Sequence, residues 1–225
     1  MKQLNVFGMD LADYSVKEAM RKIDEYLVDA KVNTVSFLSM DVLMEASENE
    51  ELRTYLSGMD LTIPISAEIL SVAGIAGHSR IKEVSEGEFY KKLMKKISDE
   101  KRNVFILTEK EETIKAFGDY LKESSPGINI VGEFAFENLS GDSDMIVNEI
   151  NSTFPDIVFS RLSSPKQEKF IYENSTKLNA KLWVALKEDF ARKEPNKCGK
   201  FTALREKIRS SVFRRKVNKF ENDDN

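Results

Sequence analysis

Ser164-Pro165-Lys166-Gln167-Glu168 follows almost directly on a short apolar stretch, Ile157–Arg161, and carries the densest potential chemistry in the chain. A strand that ends in a tight loop and re-enters as a helix turns the free N–H groups of its first turn outward, where an anion can sit. In that position Lys166 can set a cation beside a diphosphate, and Gln167 can hydrogen-bond the hydroxyls of a ligand. The same residues also read as nothing more than a well-capped helix with a solvated Lys and Glu. His78 is the only histidine and Cys198 the only cysteine. That pair excludes a histidine-based dyad or triad, an intrachain disulfide and a thiolate cluster, and leaves zinc almost no ligands. No P-loop and no G-x-G-x-x-G occurs.

The elements that must hold this loop are legible as an alternation of strand and helix signals. Short β-prone runs fall at Asn5–Gly8, Thr34–Leu38, Leu61–Pro64, Arg102–Thr108, Ile128–Gly132, Ile157–Arg161 and Lys181–Leu186. The later ones are near-continuous apolar runs, the pattern of strands covered on both faces. Between them Ser15-x-x-Glu18, Ser85-x-x-Glu88 and Thr108-x-x-Glu111 read as capping boxes, and Ser164-Pro165-Lys166-Gln167 as a fourth with proline at the first helical position. Alternation with short links predicts parallel strands and right-handed crossovers, hence an α/β, Rossmann-like parallel-sheet sandwich. Ligands of such sheets sit beyond the carboxyl ends of the strands. That rule selects the loops at 38–41, 64–68, 108–110, 161–168 and 187–190. Trp183 reads as core, His78 as an exposed turn residue, and Met40, Met44 and Met59 as packing.

With 225 residues, 32% charged and 41% hydrophobic, the chain has the composition of an ordinary globular protein. The opening MKQLNVFGMDL lacks the apolar core of a signal peptide, and no run approaches the roughly 20 apolar residues of a membrane span. Cytoplasm is the expected compartment. Charge is uneven: Lys200–Phe220 holds eight Lys/Arg and one acid within a chain of net charge −4. A basic stretch on an acidic body suggests one anionic contact surface, not nucleic-acid binding. The expected division is an α/β domain over 1–198 and a basic helical appendage with a polar tail over 199–225. In the appendage Phe201, Leu204, Ile208 and Val212 recur at helical spacing beside Arg205, Arg209, Arg214, Arg215 and Lys216.

The segment from Ser164 to Ile171 resembles the signature of the WecG/TagA/CpsF glycosyltransferases, G-S-P-K-Q-E-x-W/F-I, with Ser163 in place of the glycine. Val6–Asp10 resembles the family's opening N-V-L-G-V. Asn49–Arg53 and Met59–Pro64 resemble D-P-E-L-R and A-D-L-V-I-P, and Glu188-Asp189-Phe190 resembles the end of G-G-S-F-D-F. The resemblance implies an inverting, metal-independent enzyme without a cofactor. Such enzymes move an N-acetylmannosaminyl or related sugar from a UDP-sugar to a polyprenyl-diphosphate-linked acceptor in cell-wall or capsule polymer synthesis. It implies substrate contacts from Ser164, Lys166, Gln167 and Glu168, and from Asp189 on uracil or ribose. Arg214 and Arg215 of the appendage are candidates for reaching a diphosphate. It further implies peripheral contact of 200–220 with anionic membrane at its inner face, and a homo-oligomer. For the appendage, packing of the apolar stripe on protein is an equal alternative to membrane contact.

Several ligand-facing positions depart from the family pattern. The Asp proposed as general base is Ile65 here, which cannot take a proton, and the following Gly is Ser66. Glu68, about one helical turn later, is the candidate substitute base. The T-x-N after the second family strand has become Phe37-Leu38-Ser39, so Ser39 keeps one catalytic-position hydroxyl. Thr108-Glu109 replaces G-G and sets a carboxylate where a sugar diphosphate would approach. Glu83–Glu86 replaces R-V-T-G. Two readings follow: a divergent transferase with a degraded catalytic site, or a catalytically inactive relative acting as a binding or regulatory subunit.

Overall fold

The structure, a computed structural model, describes residues 2–187 and 200–223. An antiparallel hairpin comes first, β1 (Lys2–Val6) and β2 (Met9–Asp13). Its turn is Phe7-Gly8, both at positive φ (54° and 70°), the backbone a two-residue hairpin loop requires. Ser15 then opens α1 (Val16–Tyr26). Its Oγ accepts from the Glu18 amide at 3.3 Å, and its own amide donates to Glu18 Oε2 at 2.9 Å. The expected capping box is therefore present.

The remaining strands form one six-stranded parallel sheet. They are β3 (Asn33–Leu38), β4 (Leu61–Pro64), β5 (Asn103–Thr108), β6 (Asn129–Ala135), β7 (Ile157–Arg161) and β8 (Leu182–Ala185). Their spatial order is β4-β3-β8-β7-β5-β6, so the fold is the expected α/β, Rossmann-like sandwich. Alternate side chains of the central strands enter opposite layers, as the two-residue period of a strand dictates. Val104, Ile106, Ile157 and Phe159 face α1, α6 (Glu88–Asp99) and α7 (Glu111–Ser124). Phe105, Leu107, Val158 and Trp183 face α8 (Asp144–Ser152) and α9 (Lys166–Asn174). Trp183 is fully buried, as expected.

A third apolar cluster joins the hairpin to α2 (Met40–Ala46), α3 (Glu50–Ser57), α4 (Ala67–Val72), α5 (His78–Ser85) and α10 (Lys200–Asp223). Phe213 and Val217 of α10 are buried there, and Phe220 packs against it, whereas Ile208 and Val212 are exposed. The stripe that docks is thus displaced from the one read in the sequence. Among the described residues no helix is long and apolar enough to cross a membrane.

Three helix starts differ from expectation. Ser85 is the last residue of α5, and α6 instead begins after Gly87, whose φ of 63° turns the chain between two helices. Lys110, not Thr108, precedes α7. The Thr108 hydroxyl donates to the Lys110 carbonyl at 2.8 Å instead of capping a helix. Pro165 precedes α9 and has no side-chain cap, and the Ser164–Pro165 peptide is cis. His78 is exposed but begins a helix instead of lying in a turn.

Candidate functional site

β5 and β7 are neighbours whose chains leave in opposite directions, one to β6 and the other to β8. Ligands of open α/β sheets bind at such a switch point, beyond the carboxyl ends of the strands. The crevice here lies between the β5–α7 loop and the β7–α9 loop, which carries Ser163, Ser164 and the first turn of α9. The sequence-derived loop and the topological rule therefore select the same place.

Glu109 is fixed across that crevice by its backbone. Its amide donates to the Arg161 carbonyl at 3.2 Å, and its carbonyl accepts from the Glu137 amide at 3.1 Å. The side chain reaches the opposite loop. Oε2 accepts from the Ser163 amide at 3.1 Å and from the Ser163 hydroxyl at 3.2 Å, and Oε1 forms an ion pair with Lys166. Partial burial pushes the Glu109 carboxyl up, but Lys166 and the two Ser163 donors outweigh it and hold the group below the usual range for Glu. The Lys166 ammonium also lies 4.7 Å from the Phe136 ring centroid. Lys166 therefore lies at the switch point between β5 and β7, where its partner is the Glu109 carboxylate.

Gln167 is 5% exposed and is used internally. Its Oε1 accepts from the Ser160 hydroxyl (2.7 Å) and the Leu162 amide (3.2 Å), and its Nε2 donates to the Leu186 carbonyl (3.2 Å). It clamps the end of β7 to the chain leaving β8, and with this rotamer it offers no group to a ligand hydroxyl. Glu168 is 2% exposed, with Oε2 unpartnered among the described residues. Burial, with Glu45 nearby, raises its pKa against the pull of its own amide and the Ser164 and Gln167 side chains. The Ser164 hydroxyl is likewise buried, beside the Glu168 carboxyl, without a hydrogen bond of normal geometry among the described residues.

The second group of predicted residues gathers at the β3 and β4 ends. Ser39 is 5% exposed and caps α2, its Oγ accepting from the Val42 amide at 3.3 Å. The Ile65 amide bonds to the Leu38 carbonyl at 3.0 Å, which brings Ser39 and Ile65 side by side. Glu68 Oε2 accepts from the Ser66 hydroxyl at 3.0 Å, and its Oε1 lies 3.9 Å from Arg214. β4 and β7 stand three strand spacings apart, about 14 Å at the usual interstrand distance. The two groups thus flank one rim and do not touch. Arg215 is exposed on α10, and Asp189 lies outside the described residues.

Sequence reasoning passed over two residues here. Asp41, in the first turn of α2, is 3.3 Å from both Lys187 and Arg209 and links the end of β8 to α10. Arg161, at the end of β7, is 5% exposed, and its guanidinium lies 4.7 Å from the Phe117 ring centroid near Tyr90. A cation ending an otherwise apolar strand run was the available signal for Arg161; Asp41 had none beyond its place in a ligand-facing loop. Among the described residues no three His, Cys, Asp or Glu side chains converge as metal ligands would.

Fold and crevice together define a parallel-sheet α/β protein that presents a helix N-terminus and a lysine at its switch point. The chain belongs to the glycosyl transferase WecG/TagA/CpsF family, whose profile matches residues 4–189. It is 21% identical over 151 residues to the N-acetylglucosaminyldiphosphoundecaprenol N-acetyl-beta-D-mannosaminyltransferase of Bacillus subtilis (strain 168), covering 67% of this chain and 58% of that protein. It is 24% identical over 148 residues to the protein of the same name from Bacillus spizizenii, covering 66% and 57%. The chain thus matches somewhat over half the length of each relative.

Proposed function

We propose that this chain is a glycosyltransferase that takes a UDP-sugar of the N-acetylmannosamine type. The acceptor is a polyprenyl-diphosphate-linked sugar, in the synthesis of a cell-wall or capsule polymer. The observation that carries the reading is the placement of Ser163–Glu168 at the β5/β7 switch point of a chain that matches the family over residues 4–189. The activity of the two relatives supplies the substrate class. In the reaction an acceptor hydroxyl oxygen bonds to the anomeric carbon, the bond from that carbon to the diphosphate breaks, and UDP leaves with the electron pair. The hydroxyl proton passes to a base. No metal or cofactor is required for that balance: Lys166 and the amides of the first turn of α9 stabilise the leaving diphosphate, and Asp189 holds the uracil or ribose. Glu68, about one helical turn beyond Ile65, takes the proton, with Ser39 at the same rim. The exposed cations of α10 bring the protein to an anionic membrane surface where the acceptor resides, with Arg214 and Arg215 turned to the acceptor diphosphate. Self-association is part of this reading.

A second reading, a catalytically inactive binding or regulatory relative, is favoured by one observation. Glu68 is tied to Ser66 and Arg214, and Ile65 leaves the usual base position without a carboxylate. Loss of a positioned base costs roughly 10²- to 10⁴-fold in rate. Calorimetric titration with UDP, followed by an assay of UDP release from UDP-N-acetylmannosamine with a lipid-diphosphate acceptor, separates the two. The transferase reading expects bound UDP and slow release that Glu68→Gln lowers at least tenfold. Absence of heat at millimolar UDP overturns it, and binding without release selects the inactive relative.

A further inference from the structure

We infer that Glu109 is a specificity-determining residue of the crevice, an internal carboxylate that occupies the anion position and competes with the diphosphate of an incoming nucleotide. The inference rests on the reading of the crevice as a nucleotide-sugar site. Three donors at the switch point are engaged by this one side chain: the Ser163 amide, the Ser163 hydroxyl and the Lys166 ammonium. A carboxylate and a phosphate oxygen use the same donors in the same way, each accepting charge-assisted hydrogen bonds from N–H and ammonium groups. Glu109 is therefore more than a repulsive charge near the site. It fills the site and pairs with Lys166.

The backbone makes this a fixed device. The Glu109 amide is held by Arg161 and its carbonyl by Glu137. The next loop is tied down as well, because Glu137 Oε1 accepts from the Glu111 amide at 2.6 Å and Asn138 donates to Glu111 Oε2 at 2.6 Å. Only side-chain rotation can free the crevice. At 21% side-chain exposure Glu109 has solvent on one side into which to turn. A diphosphate must therefore displace the carboxylate and bear its charge nearby, or the carboxylate must be removed.

The test is UDP and inorganic pyrophosphate affinity, by calorimetry, of the unaltered chain, Glu109→Gln and Glu109→Gly, with thermal melting to establish folding. Glutamine keeps the size and loses the charge, and glycine opens the space entirely. Both variants are expected to bind each probe at least tenfold more tightly than the unaltered chain, and adding Lys166→Met to either should reverse the gain. Equal affinity for the unaltered chain and both folded variants overturns the role of Glu109 while leaving the nucleotide site intact. Absence of UDP binding in all three overturns the underlying nucleotide reading, and this inference with it. A gain that survives Lys166→Met overturns the placement of the anion at this crevice.

Discussion

Glu168 stands in the first turn of α9 with almost no access to water, its Oε2 unpartnered among the described residues and Glu45 nearby. Desolvation disfavours the charged form, so the folded-state pKa is raised above 4.5. A raised carboxyl contributes stability below its unfolded pKa, and that contribution is lost as pH rises through the folded value. Ionisation of Glu168 therefore weighs against the fold. Glu168→Gln removes the charge at nearly the same volume and should raise the melting midpoint at pH 7 by a few degrees. The gain should shrink toward zero near pH 4. A midpoint that falls, or a difference that ignores pH, would remove Glu168 from this role. At Glu109, the partner of Lys166, the logic reverses. Glu109 is held below the usual range, so its pairing supports the fold above that range and is lost as pH falls through the lowered pKa. Neither partner set could be read from residue type. Lys166 and Glu109 are 57 positions apart, and only the β5–β7 pairing brings them together.

At the scale of elements, what the sequence disclosed depended on where each signal's partner lies. Ser15 and Glu18 are three positions apart and exposed, and their capping box formed as expected. Ser164 and Gln167 have the same spacing, yet Gln167 turned to Ser160, Leu162 and Leu186, because a buried amide must satisfy its donor and acceptor wherever the sheet offers them. The apolar runs located all six sheet strands, since burial on both faces of the central ones leaves an unmistakable composition, and the half-buried edge strand β6 keeps enough of it. β2 went unread because a hairpin strand over Met9–Asp13 has two acids in five residues. In α10 the helical period was legible, but the docking face was not. Ile208 and Val212 are 55% and 42% exposed, while Phe213 is fully buried, edge-on to Phe7 at 5.7 Å. Phe213→Ala should weaken α10 docking by about 3 kcal/mol or more. Amide exchange in α10 should then accelerate roughly 100-fold, at 1.4 kcal/mol per decade, with little change for Val212→Ala. Unchanged protection in Phe213→Ala would mean that other contacts hold the helix.

For the whole molecule, the division of charge is the organising fact. The eight cations and one acid of 200–220 leave the remainder of the chain at −11 against an overall −4. Part of that attraction is internal: Arg209 meets Asp41, Arg214 meets Glu68, and Lys216 meets Glu48. These pairs are exposed and screened, so each adds little, and the apolar face of α10 does most of the docking. The outer face of the same helix keeps Arg205, Lys207, Arg215 and Lys219 exposed, together with Ile208 and Val212. The docked inner face bears out packing on protein, and the cationic, partly apolar outer face stays available for a second contact, because that packing does not use its residues. Each cation near an anionic leaflet is worth about 1 kcal/mol. Reversing two of them, Arg205→Glu with Arg215→Glu, should therefore weaken binding to phosphatidylglycerol-containing vesicles by at least tenfold in co-sedimentation. Binding should fall with added salt and be absent from purely zwitterionic vesicles. Arg215 lies on the solvent side, so the melting midpoint should stay where it is. If the reversed variant sediments as the unaltered chain does, the outer face of α10 is not a membrane surface, and its exposed cations have a different partner.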